Sequence, residues 1–184
     1  MIDSVDFVVG LPYQHIRTKE GGVKTTEDGL SDMTLELKWR FFECEGLSLA
    51  LKPGLSIPTG DDDRGLGAGK VGGGIQFIAT QEFEPWAFHF NVGYGRNETT
   101  VEEETDIWHV SLAAEREVYQ WLKVVVNVGA ERNTDTADST PAAFILGGLI
   151  FPLTENLDLD LGVKGGLSEP EADFALLAGA AFRF

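Results

Sequence analysis

The sequence lacks three features that would each point to a common class of protein. It contains one cysteine, Cys44, in 184 residues, so no disulfide can form within the chain. It has 14 lysines and arginines against 30 aspartates and glutamates, and the net charge of −16 argues against nucleic-acid binding, which needs a basic surface. Its longest apolar run, 142–153, contains glycine and proline and falls short of the roughly 20 residues of a membrane-spanning helix. The chain is therefore either water-soluble or crosses a membrane as strands.

Glycine and a regular alternation of side chains are abundant instead. Between Trp86 and Tyr94 every second residue is large and apolar, and the residues between them are small or polar. A period of two indicates a β-strand with one apolar face. The pattern predicts ten strands, at residues 4–16, 31–43, 47–58, 67–80, 86–97, 106–118, 121–132, 142–153, 157–166 and 172–184. We predict a single all-β domain over residues 1–184, an antiparallel up-and-down transmembrane β-barrel with about ten strands in this chain.

The connections between the predicted strands alternate in length. The long connections fall near residues 17–30, 59–66, 97–105, 133–141 and 167–171. The short connections fall near residues 44–46, 81–85, 119–120 and 154–156. Long loops at one end and tight turns at the other are typical of outer-membrane barrels, whereas a soluble sandwich has no reason to sort its loops in this way.

Alternation alone does not tell which face points inward, because a soluble barrel places its apolar side chains inside and a membrane barrel places them outside. Here the polar face mixes charges of both signs with glycine and alanine, which suits the narrow interior of a barrel. The apolar face carries aromatic residues near the strand ends, as membrane girdles do. We predict that the lumen is lined by Glu36, Lys38, Arg40, Lys52, Lys70, Gln76, His89, Asn91, His109, Glu115, Lys123, Asn127, Glu131, Asp158, Asp160, Lys164 and Arg183. The facing of residues 142–153 stays open, since both faces of that segment are apolar.

The sequence shows no catalytic constellation, so we expect neither an enzyme nor a cofactor. Residues 67–72 match G-x-G-x-x-G, but a strand follows where the dinucleotide fingerprint needs a helix. The predicted long loops are acidic, which suits either ordinary solvation or an outer rim that binds divalent cations. Asp61, Asp62 and Asp63 are weak metal candidates there, because the segment lacks the glycine and glutamate positions of an EF-hand.

Several sequence blocks together resemble one bacterial family. They include Leu11-Pro12-Tyr13, residues 29–32, residues 35–41, Leu55-Ser56-Ile57-Pro58-Thr59-Gly60-Asp61, residues 65–69 and a glycine-rich end closing on Phe182-Arg183-Phe184. This resembles the outer-membrane family named for a MetA pathway of phenol degradation. Ser31 departs from the glycine usual in that family. The resemblance implies a barrel of about twelve strands in a full-length member, so we expect a signal peptide and further strands ahead of this chain.

The resemblance and the residues together favour one function and leave two alternatives. The favoured one is a channel or facilitator for small aromatic or hydrophobic solutes in the outer membrane of a Gram-negative cell. Its expected partners are membrane lipid, lipopolysaccharide, the solute and divalent cations at the acidic loops. The first alternative is a non-conducting structural barrel that anchors or supports a surface assembly. The second is a soluble ligand-binding β-barrel.

Overall fold

The structure, a computed structural model, describes residues 4–98 and 103–182, and within these ranges the chain forms twelve strands and one short 3-10 turn. The strands are β1 (Val5–Gly10), β2 (Tyr13–Glu20), β3 (Val23–Leu30), β4 (Met33–Cys44), β5 (Leu47–Ile57), β6 (Gly72–Phe83), β7 (Trp86–Asn97), β8 (Asp106–Tyr119), β9 (Leu122–Glu131), β10 (Ala142–Pro152), β11 (Leu157–Gly166) and β12 (Phe174–Phe182). The 3-10 turn, Asp62–Arg64, lies between β5 and β6.

Ten of these strands form one antiparallel sheet in the order β1-β4-β5-β6-β7-β8-β9-β10-β11-β12. Every neighbour after β4 is the next strand along the chain, so the sheet is an up-and-down meander with the curvature of a half-barrel. The predicted all-β, antiparallel, ten-stranded architecture is confirmed. Within the described residues β1 and β12 are the two edges of the sheet and do not pair with each other.

The structure corrects the predicted strands in three places. The first predicted strand, 4–16, breaks at Leu11-Pro12, where proline offers no backbone N–H to a ladder. Residues 17–30, predicted as a loop, complete a separate two-stranded hairpin of β2 and β3. The strand predicted at 67–80 begins only at Gly72, because the residues before it belong to a folded loop.

Two β-bulges interrupt the alternation next to the short turns. The register shifts between Arg40 and Phe42 in β4, and between Glu117 and Tyr119 in β8. The extra residue in β4 is Phe41, and Phe41 and Phe42 are both exposed. A bulge of this kind sets two residues against one and bends the strand near the rim of the sheet. The alternation read from the sequence therefore holds only up to each bulge.

The connections are sorted as predicted. The short connections, at residues 45–46, 84–85, 120–121 and 153–156, all lie at one end of the sheet, here called the short-turn end. The longer ones, including the β2–β3 hairpin, lie at the other end, here called the loop end. Glu45 and Gly46 form a two-residue hairpin turn in which both residues have positive φ, the geometry that matches the twist of the flanking strands.

The sheet does not enclose an apolar core. The buried apolar residues are Ala50, Leu66, Ala113, Ala142 and Phe144, and no large side chain in the described part of the chain is fully buried. Large apolar side chains are exposed instead, such as Leu112 at 54% and Leu161 at 55%. Among the described residues no helix has the length and apolar character to span a membrane.

Candidate functional site

The strand register separates the sheet into an apolar and a polar face. Residues that pair directly across an antiparallel ladder lie on the same face. One such row runs from Trp39 through Leu51, Phe77 and Val92 to Val110 on five neighbouring strands. The row contains only apolar side chains. It defines the apolar face, which continues through β9 to β12.

Aromatic side chains border the apolar face at both ends. Near the short turns Trp86 stacks on Phe88, with ring centroids 6.2 Å apart. Near the loops Tyr94 lies opposite Trp108 and donates a hydrogen bond of 2.5 Å to Asp106. Trp86 and Tyr94 are eight residues apart on one strand, about 27 Å at a rise of roughly 3.4 Å per residue. A strand tilt of about 35–45° reduces this to a height of roughly 19–22 Å, close to the apolar band of about 25 Å on an outer-membrane barrel.

The short-turn border also contains a cation. Arg116 belongs to the apolar face, because it lies opposite Trp86 on β7 and Val124 on β9. Its guanidinium carbon sits 5.1 Å from the Trp86 ring centroid, in cation–π contact. At the β8–β9 turn, Tyr119 stacks on Trp121, with ring centroids 5.4 Å apart.

The predicted site residues fall on the polar face, with two exceptions. The structure places these on it: Glu36, Lys38, Arg40, Lys52, Gln76, His89, Asn91, His109, Glu115, Lys123, Asn127, Glu131, Asp158, Asp160 and Lys164. Lys70 lies before β6, exposed in the loop. Arg183, and with it Phe184, lies outside the described residues.

Cross-strand ion pairs neutralise much of the charge on the polar face. Lys52 on β5 pairs with Glu36 on β4 at 2.8 Å, and both side chains are largely covered. Lys123 on β9 pairs with Glu115 on β8, also at 2.8 Å. A solvent-exposed ion pair contributes about 0–1 kcal/mol to stability, and partial burial adds a desolvation cost for both ions. Their main consequence is that the polar face presents alternating charge rather than a field of one sign.

Hydrogen bonds connect the uncharged polar side chains in the same way. The Thr80 hydroxyl on β6 and Nδ1 of His89 on β7 form a hydrogen bond of 3.0 Å. Asn91 donates to the Ser111 hydroxyl at 3.2 Å, and Ser111 is buried. Asn127 Oδ1 is buried and accepts no hydrogen bond from the described residues. It can therefore accept one from a molecule bound at the polar face.

A cavity of about 270 Å³ opens on the polar face toward the loop end. Its floor is made of glycines on three adjacent strands, Gly54, Gly74, Gly93 and Gly95. The cavity exists because these positions carry no side chain. Its polar walls are Thr34, Glu36, Lys52, Ser56, Gln76 and His109.

Two of the floor glycines have room for a side chain. A Cβ on Gly95 would meet nothing closer than 3.8 Å, and one on Gly93 nothing closer than 3.6 Å. A Cβ on Gly74 would come within 2.9 Å of the Tyr94 carbonyl oxygen, so that position admits only glycine without a backbone shift. The cavity can therefore be filled from Gly93 or Gly95 while the sheet is kept intact.

Strand β10 contributes apolar side chains to the polar face, which the sequence did not reveal. The register places Phe144, Leu146 and Ile150 on the polar face and their odd-numbered neighbours on the apolar face. Phe144 is buried, its ring 6.4 Å from that of His109 and 5.5 Å from the ammonium of Lys164. Leu146 and Ile150 line a second cavity of about 240 Å³.

The second cavity combines this apolar wall with two carboxylates. Asp158 and Asp160 of β11 are among the residues that line it, together with Leu177 of β12. The Asp160 carboxylate lies over Gly179, where an added Cβ would overlap it. The polar face thus presents both apolar and charged surface.

The family-like block at residues 58–68 has a structural role at the loop end. Asp32 accepts hydrogen bonds from the backbone N–H of Gly60 at 3.0 Å and of Ala68 at 2.8 Å. Thr59 accepts from the Met33 N–H at 2.9 Å. Leu66, 2% exposed, is the most buried residue of the loop. These contacts clamp the β5–β6 loop onto the start of β4.

The metal candidates do not form a site. Asp61 precedes the 3-10 turn, and Asp62 and Asp63 occupy its first turn. No group of three or more histidine, cysteine, aspartate or glutamate side chains in the described ranges is arranged to hold a metal ion.

Comparison with known proteins identifies the family of the chain. A family model described as "Putative MetA-pathway of phenol degradation" matches residues 2–184 of the chain. A search of curated proteins returned no match. The family match confirms the resemblance read from the sequence blocks.

Proposed function

Since the chain belongs to the family described as "Putative MetA-pathway of phenol degradation", we propose that it is an outer-membrane channel or facilitator for small aromatic or hydrophobic solutes in a Gram-negative cell. The observation that carries the proposal is the inverted distribution of side chains. Large apolar residues are exposed on one face of the sheet, while charged residues lie half-covered on the other. Lipid outside and a polar lumen inside account for both.

The apolar face exposes large side chains next to one another on adjacent strands, as at Phe90, Leu112 and Val128. Contiguous apolar patches of more than a few hundred Å² mark interaction with protein or membrane. The aromatic borders and the band height between Trp86 and Tyr94 favour a bilayer as the partner. Between its two edges the antiparallel sheet satisfies its backbone hydrogen bonds from strand to strand, and a bilayer core requires the edge strands β1 and β12 to be paired or covered as well.

The polar face supplies a path suited to a small, partly apolar solute. The glycine-floored cavity gives room, and the ion pair of Lys52 with Glu36 borders it. Phe144, Leu146 and Ile150 add apolar surface on the same face. An aromatic solute can contact these side chains while its polar group faces the neighbouring charges.

Conductance across a planar bilayer tests the proposal directly. We expect discrete current steps after insertion of the purified protein, and a shift in ion selectivity when Lys38, Arg40 and Lys52 are neutralised, because pore-lining charges set selectivity. Neutralising the exposed loop residue Lys70 is the matched control and should leave selectivity unchanged. The proposal is wrong if the protein stays monodisperse without detergent, which would favour the soluble binding barrel.

The non-conducting structural barrel is the second candidate, and one observation favours it. The ion pairs Lys52–Glu36 and Lys123–Glu115 and the side chain of Phe144 occupy part of the polar face. Absence of current steps across many insertions, with normal insertion into the bilayer, would select this candidate over the channel.

The proposed partners follow from the same orientation. Membrane lipid covers the apolar face, and lipopolysaccharide surrounds the loop end if that end faces outward. Divalent cations bridging acidic loop residues to lipopolysaccharide remain part of the proposal. Some loop acids already have protein partners, such as Glu104, which pairs with Arg132 at 2.6 Å.

A further inference from the structure

The β2–β3 hairpin stands apart from the ten-stranded sheet and has two faces of its own. It is a separate two-stranded sheet, closed by Gly21 and Gly22, whose φ angles of 56° and 85° suit a tight hairpin turn. Eight residues per strand at roughly 3.4 Å each give a length of about 27 Å. It emerges at the loop end, where β1 ends and β4 begins.

One face of the hairpin is turned toward the β5–β6 loop. Glu27 pairs with Arg64 of that loop at 2.7 Å, and this hydrogen bond raises the pKa of the Arg64 guanidinium. Gly29, two residues further along the same face, lies against Leu66, whose Cδ1 is 2.9 Å from where a Cβ would be. The loop therefore covers this face near the base of the hairpin.

The other face carries the cations. Arg17, Lys19 and Lys24 share it, since Lys19 and Lys24 are direct cross-strand partners and Arg17 is two residues before Lys19. All three are exposed, and none forms an ion pair with a side chain that the structure describes. Asp28 of this face is engaged at the base of the hairpin, where it accepts a hydrogen bond of 3.0 Å from Tyr13.

The pairing of Lys19 with Lys24 is unfavourable in the isolated chain. Like charges directly opposite each other in an antiparallel pair destabilise it. An anion between them would turn this repulsion into attraction. Three exposed cations share one face in a chain of net charge −16, and they are complementary to closely spaced phosphates.

We propose that the cationic face formed by Arg17, Lys19 and Lys24 binds phosphate groups of lipopolysaccharide at the outer surface. The inference rests on the proposed function, because it requires the loop end of the sheet to face outward. It assigns the contact to a defined hairpin face, separate from the polar face of the sheet and from the acidic loops.

Binding of the full chain in detergent micelles to purified lipopolysaccharide tests the inference. The test variant combines Arg17→Gln, Lys19→Gln and Lys24→Gln. Each cation near an anionic surface contributes about fivefold in affinity, so the triple variant should bind about 100-fold more weakly. The difference should vanish in about 1 M salt, where the Debye length is roughly 3 Å.

A charge-matched control moves the lysines to the other face. It combines Lys19→Thr with Thr18→Lys and Lys24→Thr with Thr25→Lys. Composition and net charge stay the same, because each lysine is exchanged with a neighbouring threonine. The two lysines also stay opposite each other, because Thr18 and Thr25 are direct cross-strand partners. We expect it to lose about 25-fold, as removal of two cations does. Wild-type affinity in this control would overturn the assignment to the face. Equal binding of the wild type to dephosphorylated lipopolysaccharide, or tighter binding to duplex DNA, would also overturn it.

Two further readouts separate this inference from the channel proposal. Bilayer conductance of the triple variant should equal that of the wild type, since the hairpin is separate from the polar face. Loss of binding by the triple variant, with a wild type that never conducts, would support the hairpin site and reject the channel. Conductance by a wild type that shows no binding would do the reverse. A cooperative unfolding transition shows that each variant is folded.

Discussion

Substitution of Leu112 by lysine tests whether lipid covers the apolar face. Leu112 is 54% exposed and lies between Phe90 and Val128 in the middle of a three-strand row. It is four residues from Trp108 at one border and four from Arg116 at the other, about 14 Å along the strand in each direction. Leu112 therefore occupies the middle of the apolar band.

The expected cost of Leu112→Lys depends on the solvent of that face. At the midplane of a bilayer, lysine on the lipid face destabilises a barrel by about 2–4 kcal/mol, roughly 30- to 1000-fold in the folding equilibrium. If water covered the face, an exposed leucine-to-lysine change would alter the free energy of unfolding by about 0.5 kcal/mol or less. The two cases differ by at least about 1.5 kcal/mol in the free energy of unfolding.

The assay is urea unfolding of the protein refolded into phosphatidylcholine vesicles, followed by tryptophan emission. Val118→Lys is the matched control, because Val118 is 43% exposed on the same strand but lies next to the short turn. We expect a cost of about 0–1 kcal/mol there. Equal free energies of unfolding for Leu112→Lys and the wild type would refute the assignment of the apolar face to lipid.

Three further predictions concern the cavity and the loops. Gly95→Leu should lower single-channel conductance with little change in the unfolding midpoint, because a side chain there enters the cavity, whereas Gly147→Leu on the apolar face should leave conductance unchanged. Asp32→Ala removes the acceptor of two loop amides, each bond contributing about 1.5–3 kcal/mol, and should speed hydrogen exchange in the β5–β6 loop but not in β7. The N–H of Thr140 lowers the pKa of Asp138, so this turn should be most stable above the ordinary carboxyl pKa and loosen as the pH falls through the lowered value, measured as exchange of the Thr140 amide. Protection of that amide that does not change with pH would contradict the last prediction.

The strands could be predicted because their signal is local. Alternation of apolar and polar side chains, as between Trp86 and Tyr94, depends only on the pleat of one strand. Residues 111–122 include helix-favouring residues such as Ala113 and Glu115, yet they form strand and turn, as the alternation predicts. The bulges at Phe41 and Val118 were missed, because an extra residue is defined only by the partner strand.

The β2–β3 hairpin was missed although the sequence contains a signal for it. Gly21-Gly22 is a two-residue turn sequence, and eight residues pair on each side of it. The flanking strands are polar on both faces, so no alternation marked them. The Leu11-Pro12 dipeptide follows directly after Gly10, the last residue of β1, and so marks the end of that strand.

The candidate site was predicted in part. The polar residues of the alternating strands, such as Lys52 and His109, lie together on the polar face, because the pleat period fixes their side of each strand. Lys70 was predicted on a strand, but β6 begins only at Gly72, so Lys70 lies in the β5–β6 loop, which is longer than predicted. The facing of β10 was undetermined because both of its faces are apolar.

The sequence by itself determined the number of strands in the sheet, their approximate positions, the sorting of the loops and the existence of two unlike faces. All of these follow from side-chain period and loop length within single segments. Only the tertiary structure decided that Phe144 joins the polar face, that Glu36 pairs with Lys52, and that glycines from three strands meet beneath one cavity. These features depend on the register between strands, which is set by contacts among residues distant in the chain.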